Sequence, residues 1–99
     1  MLYAIIAEDV ADSVARRRAA RSRHLEYLQP LIDEGRVILA GPHPAIDSPD
    51  PGPAGMSGSL IVAEFASLEA ARDWSAGDPY VLEGVFGNVT IKPFLQVHP

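Results

Sequence analysis

The chain has no cysteine. That excludes disulfides, a thiolate nucleophile and any cysteine metal site, and it fits a reducing compartment. Nor is there an apolar run near the ~20 residues of a membrane span. The start, Met1-Leu2-Tyr3-Ala4-Ile5-Ile6-Ala7, lacks the basic opening and long apolar stretch of a signal peptide and turns acidic at Glu8 and Asp9. The expectation is a cytoplasmic protein with no membrane association. An excess of basic residues is missing too. The net charge of −5 argues against general affinity for nucleic acid. No phosphate-cradling glycine motif is present, and Ser48 and Ser57 lack a nucleophile elbow. His43 and His98 have no partner at metal-ligand spacing, so no metal is expected. Internal repeats and linkers are likewise missing, and residues 1–99 read as a single domain.

What is present suffices for a packed globule. Apolar residues make up 47% of the chain, and a chain of this length buries roughly 60–70% of the surface its unfolded form exposes. The positive charge is concentrated. Arg16, Arg17, Arg18, Arg21 and Arg23 supply five of eight basic groups, which leaves three against thirteen acids, or −10, elsewhere. Arg17, Arg18 and Arg21 share one side of a helix, whereas Arg16 and Arg23 do not. A solvated helix face accounts for them more simply than an anion site, and no interleaved aromatic supports single-strand binding.

Leu2 to Ala7 is apolar at nearly every position and too short for a helix, which predicts a strand covered on both faces. Asp12 or Ser13 offers an N-cap for a helical piece to about Arg21. Ser22 can cap a second piece, Arg23 to Glu34, with Gly35 as its stop and Pro30 as a kink. At about 100° per residue, Leu25, Leu28, Leu31 and Ile32 form a core stripe with His24 within its arc and Tyr27 at its border. Arg36 to Ala40 predicts a second strand ended by Gly41-Pro42. From Gly41 to Gly58 lie five of the nine prolines and four of the eight glycines, a long connection that serves equally as a flexible excursion or a binding loop. There Asp47 and Asp50 read as turn residues. A third strand is expected over Ser59 to Phe65. Ser67 caps a helix from Leu68 to about Ala76. Asp78-Pro79 opens a short turn with aspartate at the N-cap and proline at N1. Asn88 to Lys92 is a fourth strand, with Phe94 to Val97 a short edge strand beyond Pro93.

The order strand, helix, strand, strand, helix, strand predicts an α+β, ferredoxin-like four-stranded antiparallel sheet with helices on one face. Helices cover only one face, yet the first three strands look apolar on both. An open apolar face of several hundred Å² is rare on a soluble monomer. A homodimer packed sheet to sheet resolves the conflict.

An ordered set of short motifs spans the chain. It comprises Met1-Leu2-Tyr3, His24-Leu25 before Leu28, Asp33-Glu34-Gly35-Arg36 and Ala40-Gly41-Pro42. Ala63-Glu64-Phe65 before Ser67-Leu68-Glu69-Ala70-Ala71, Asp78-Pro79-Tyr80 and Lys92-Pro93-Phe94 follow. In these the chain resembles the YciI-like (YCII-related) proteins of the dimeric α/β-barrel group. The resemblance implies a dimer with a small-molecule pocket holding a histidine–aspartate pair, here His24 and Asp78. It also implies proton chemistry without metal or cofactor. A related enzyme of chlorinated-phenol breakdown looks like a dehydrochlorinase using such a pair, and the wider group includes muconolactone isomerase.

The residues themselves allow both a bland and a functional reading. A histidine on an apolar stripe can be satisfied by a backbone carbonyl. It can also exchange protons near neutral pH, since imidazole ordinarily titrates near about 6.5, and a neighbouring carboxylate would fix its tautomer. Asp78 is fully explained as an N-cap, but one oxygen could cap while the other accepts from imidazole. The functional expectation is a cofactor-independent lyase or isomerase acting on a small cyclic or aromatic hydroxylated substrate. In it His24 is acid and base, Asp78 is its partner, and Gly41, Pro42 and Tyr80 wall the pocket. The alternative is a non-enzymatic dimeric module that binds a small molecule.

Overall fold

The computed structural model describes all 99 residues, Met1–Pro99. The chain runs β1 (Leu2–Asp9), α1 (Val14–Asp33), β2 (Val37–Pro44), β3 (Met56–Glu64), α2 (Leu68–Ala76), the one-turn α3 (Pro79–Leu82) and β4 (Phe86–Phe94). The sheet is antiparallel in the order β2-β3-β1-β4. This is the ferredoxin-like arrangement expected from the element order. No helix is long and apolar enough to cross a membrane.

The central pair β1–β3 sets the core. Tyr3 faces Ala63 and Ile5 faces Ile61 across the ladder, and on that side they pack with Leu28 and Leu31 of α1, Phe65 and Ala71. Tyr27 joins the two long helices: its hydroxyl donates to the Trp74 carbonyl at 2.7 Å, and the rings stack at 5.0 Å. A second cluster of Ala20, Tyr80 and Val85, with Phe86 against it, fixes α3 beside α1.

Several elements differ from expectation, each for a physical reason. The helix is not two pieces. Ser22 lies inside a continuous α1, which also runs through Pro30. Pro30 is exposed, so the carbonyl whose bond it forfeits can turn to water. The stop at Gly35 is as expected: φ is +70°, Gly35 N–H donates to Ile32 O and Arg36 N–H to Leu31 O, a Schellman ending. Gly41-Pro42 does not end β2. The strand continues to Pro44, pairing Pro42 with Ser59 and His43 with Gly58. It lies at the sheet edge, where a missing N–H breaks no ladder bond. The proline-rich connection is correspondingly shorter and holds a 3-10 turn at Gly52–Ala54. The other edge strand, β4, passes through Pro93 for the same reason, and residues 95–99 add no further strand. Leu25 and Ile32, placed in the core by periodicity, are 45% and 48% exposed.

Candidate functional site

The exposure of Leu25 follows from an arc of seven residues of α1. Taking about 100° per residue from His24, Arg17 falls near about 20°, Leu28 about 40°, Arg21 about 60°, Val14 about 80°, Leu25 about 100° and Arg18 about 120°. All seven line one cleft of about 560 Å³ between α1, β2, β3 and the proline-rich connection. The stripe read as a single core face is therefore two. One edge buries Leu28 and Leu31, and the other opens on the cleft. Across it stand Ala40, Gly41 and Pro42 of β2 and Ser59 and Ile61 of β3, with Asp50 at the rim.

His24 is buried at the inner end of this cleft. Its Nδ1 lies 2.8 Å from Oδ1 of Asp78, a residue only 2% exposed. An ionised carboxylate only accepts, so Nδ1 carries the proton. Nε2 then holds the lone pair of the neutral ring. It makes no protein hydrogen bond, and no fully buried side-chain nitrogen or oxygen lacks a partner, so Nε2 opens on the cleft. The expected division of labour between the two carboxylate oxygens does not occur. Oδ1 also accepts from the backbone N–H of Tyr80 at 2.9 Å. One atom both caps α3 and orients the imidazole. This is possible because a carboxylate oxygen has two lone-pair directions.

Tyr80 closes one side of His24. The two rings stack at 3.9 Å and 9°. The Arg17 guanidinium lies over the same tyrosine ring at 5.0 Å. Arg17 and His24 are two turns apart on α1, about 10 Å, which leaves room for one aromatic ring between them. Burial pushes the Tyr80 phenol above its ordinary value of 10.0, opposed by Arg17 and Arg21 and reinforced by Asp78. Tyr27 is likewise raised from 10.0 by burial, with Asp78 adding to it.

A second network was not visible in the sequence reading. Arg17 donates to Asp9 at 2.6 and 2.8 Å, to the Gly58 carbonyl at 2.9 Å and to Ser59 Oγ at 3.0 Å. Ser13 at the helix start donates to Asp9 rather than capping α1. Thus Arg17 is not a solvated surface charge. Its position seven residues before His24 was the available signal. Gly58 is required there, since a Cβ would overlap the carbonyl oxygen of Ala7. His43 and His98 are both exposed. No group of three or more His, Asp or Glu side chains is arranged to hold a metal ion.

The sequence matches the family model described as "YCII-related domain" over residues 1–95. It is 56% identical to "Protein YciI" of Escherichia coli O6:H1, with 98% of this chain and 99% of that protein aligned. An uncharacterized protein of Haemophilus influenzae is 46% identical over the same shares. Among solved structures, the 5-chloro-2-hydroxyhydroquinone dehydrochlorinase TftG of Burkholderia phenoliruptrix superposes with a TM-score of 0.85 at 24% identity. The superposition covers 96% of this chain and 94% of that one, and that structure is a complex with 2,5-dihydroxybenzoquinone.

Proposed function

This chain belongs to the YCII-related domain family, and from that premise we propose that it is a cofactor-independent lyase or isomerase of small hydroxylated ring compounds. His24 is the acid and base, and Asp78 is its partner. The observation that carries the reading is the buried 2.8 Å bond at Nδ1, which leaves Nε2 facing a cleft of ring-compound size. In an elimination, Nε2 takes a proton from the substrate, the electrons of that bond form a double bond, and the leaving group departs with its own bonding pair. In an isomerisation the proton returns to another atom of the same substrate. Either way the ring becomes imidazolium transiently, and two neighbours suit that charge. Asp78 supplies an opposite charge at hydrogen-bond distance, and Tyr80 supplies the face of an aromatic ring. Gly41 and Pro42 wall the cleft opposite. The dehydrochlorinase activity of a protein with this fold makes elimination the first reaction to try.

The test is a panel of chlorinated and unchlorinated hydroxyhydroquinones, followed by halide release and ultraviolet absorbance. The wild-type protein should turn over at least one compound, and His24→Ala should slow it by about 10²–10⁴-fold, the usual contribution of acid–base catalysis. Equal rates would remove His24 from the chemistry. A second reading has support in the cap at Asp78, which gives that residue a structural role without catalysis. On it the chain is a binding module, ligand binding survives His24→Gln, and no product forms.

We also propose that residues 1–99 act as one domain and pair as a homodimer. Alternation across the β1–β3 and β2–β3 ladders puts Leu2, Ala4, Ile6, Leu60, Val62 and Leu39 on the face away from the helices. Leu39 is exposed, and Ile6 and Leu60 are half-buried. A second copy packed on this face would cover them.

A further inference from the structure

We infer that Arg18 and Arg21 form an anion subsite in the His24 cleft, so that the ligand is a small ring carrying an ionised oxygen, a carboxylate, phenolate or enolate. The inference rests on the reading of this cleft as the binding site and goes beyond it by naming the ligand's charge.

Three guanidiniums line the cleft, and they differ in one respect. Arg17 is committed: it is nearly buried, paired with Asp9, and spends its remaining donors on Gly58 and Ser59. Arg18 and Arg21 are exposed, donate to no protein acceptor, and have no carboxylate within ion-pair distance. Arg16, Arg23 and Arg36 on other faces do have protein acceptors. Arg72 also lacks a protein acceptor, but it lies on α2 away from this cleft, whereas Arg18 and Arg21 occupy the arc of α1 that faces it. With Arg17 neutralised by Asp9, two free guanidiniums stand against Asp50, the single carboxylate in the lining, in a chain of net charge −5. A cleft of reversed sign in an acidic protein attracts small anions.

The helix geometry suits one ring. Arg21 precedes His24 by one turn and Arg18 by two, about 4.5 and 9 Å along the axis. A six-membered ring with its reacting atom at Nε2 can therefore reach one or both guanidiniums with an oxygen on its far edge. Arginine presents a planar fork of donors that matches a carboxylate in a bidentate pair. The same charges would also stabilise an enolate generated when Nε2 removes a proton, while Asp78 answers the imidazolium.

Binding of salicylate and of its uncharged amide, salicylamide, tests this by titration calorimetry. Salicylate should bind at least about tenfold tighter than the amide, and the preference should shrink with added salt. Arg18→Gln/Arg21→Gln should lose about tenfold or more in salicylate affinity, the scale of a charged hydrogen bond, with little change for the amide. Arg18→Lys/Arg21→Lys should recover part of the loss. Equal affinity for acid and amide, no binding of either at millimolar concentration, or a glutamine double variant that binds salicylate like wild type would each overturn the inference. His24→Gln separates it from the catalytic reading. If that variant still prefers salicylate but the wild-type protein turns over no compound, the subsite stands and the catalysis falls. If turnover depends on His24 but binding ignores Arg18 and Arg21, the reverse holds.

Discussion

The rings of His24 and Tyr80 are nearly parallel, 9° apart at 3.9 Å. Both residues also bind the same atom, Oδ1 of Asp78, His24 through Nδ1–H and Tyr80 through its backbone N–H. A single oxygen thereby fixes the imidazole in its plane and starts the turn that brings the tyrosine ring against it. Orientation of the histidine and folding of α3 are one event, and substitutions at these positions should separate into those that break both and those that break one.

Asp78→Asn retains an oxygen acceptor and a good N-cap, so it should fold with a small loss of stability while turnover of a panel substrate drops, because the imidazolium loses its countercharge. Asp78→Ala should lose cap and imidazole bond together, about 2–3 kcal/mol. Urea denaturation of the two variants beside wild type checks this. Equal stability of the alanine variant would mean the cap contributes nothing.

Tyr80→Phe should keep the stack and the backbone cap, and so retain both stability and rate to within a few-fold. Tyr80→Leu should keep the cap but remove the stack, worth about 0.5–1.5 kcal/mol, with a further loss from the smaller core side chain. Comparing kcat for the pair isolates the ring face from the hydroxyl.

Asp9→Ala should be among the most damaging substitutions. It strands the Arg17 guanidinium against Tyr80 and Phe86, and breaking one side of a buried ion pair costs about 3–5 kcal/mol. Total stabilities are about 5–15 kcal/mol, so the melting temperature should fall steeply. A shift of only a degree or two would show that Arg17 finds water instead.

Alkaline pH should weaken the fold through Tyr27 and Tyr80. Both phenols are raised from 10.0 in the folded chain, so the unfolded state ionises first. Their contribution to stability is complete below pH 10 and is lost as pH rises from there through the folded values. Tyrosinate absorbance and the denaturation midpoint should change together above pH 10. Tyr27→Phe/Tyr80→Phe should flatten that limb.

Light scattering should give twice the 10.6 kDa of one chain at micromolar concentration. Leu39→Glu, on the face away from the helices, should return the mass to that of the monomer. A wild-type mass of one chain would remove the proposed homodimer and leave the fold unaffected.

Much of the chain was readable from local chemistry. Ser67 caps α2 through Ala70 N–H, Asp78-Pro79 opens α3, and Gly35 ends α1, because a cap is decided within four or five residues. The Gly41-Pro42 stop failed because continuation of a strand depends on its partner, and β3 pairs it out to Pro44. Leu25 and Ile32 misled because helical periodicity fixes which residues share a face and says nothing about what lies opposite. Asp9 and Arg17 gave no local sign of each other, as they meet only when β1 and α1 pack.

By itself, then, the sequence settled the order of the main strands and helices and the motifs of the family, since backbone preferences and hydrophobic period act over short range. Tertiary structure alone decided that residues 54 positions apart share a hydrogen bond, that one oxygen serves two donors, and that one edge of α1 faces a cleft rather than the core. Those outcomes depend on the distance and angle between packed elements, quantities that no stretch of chain encodes locally.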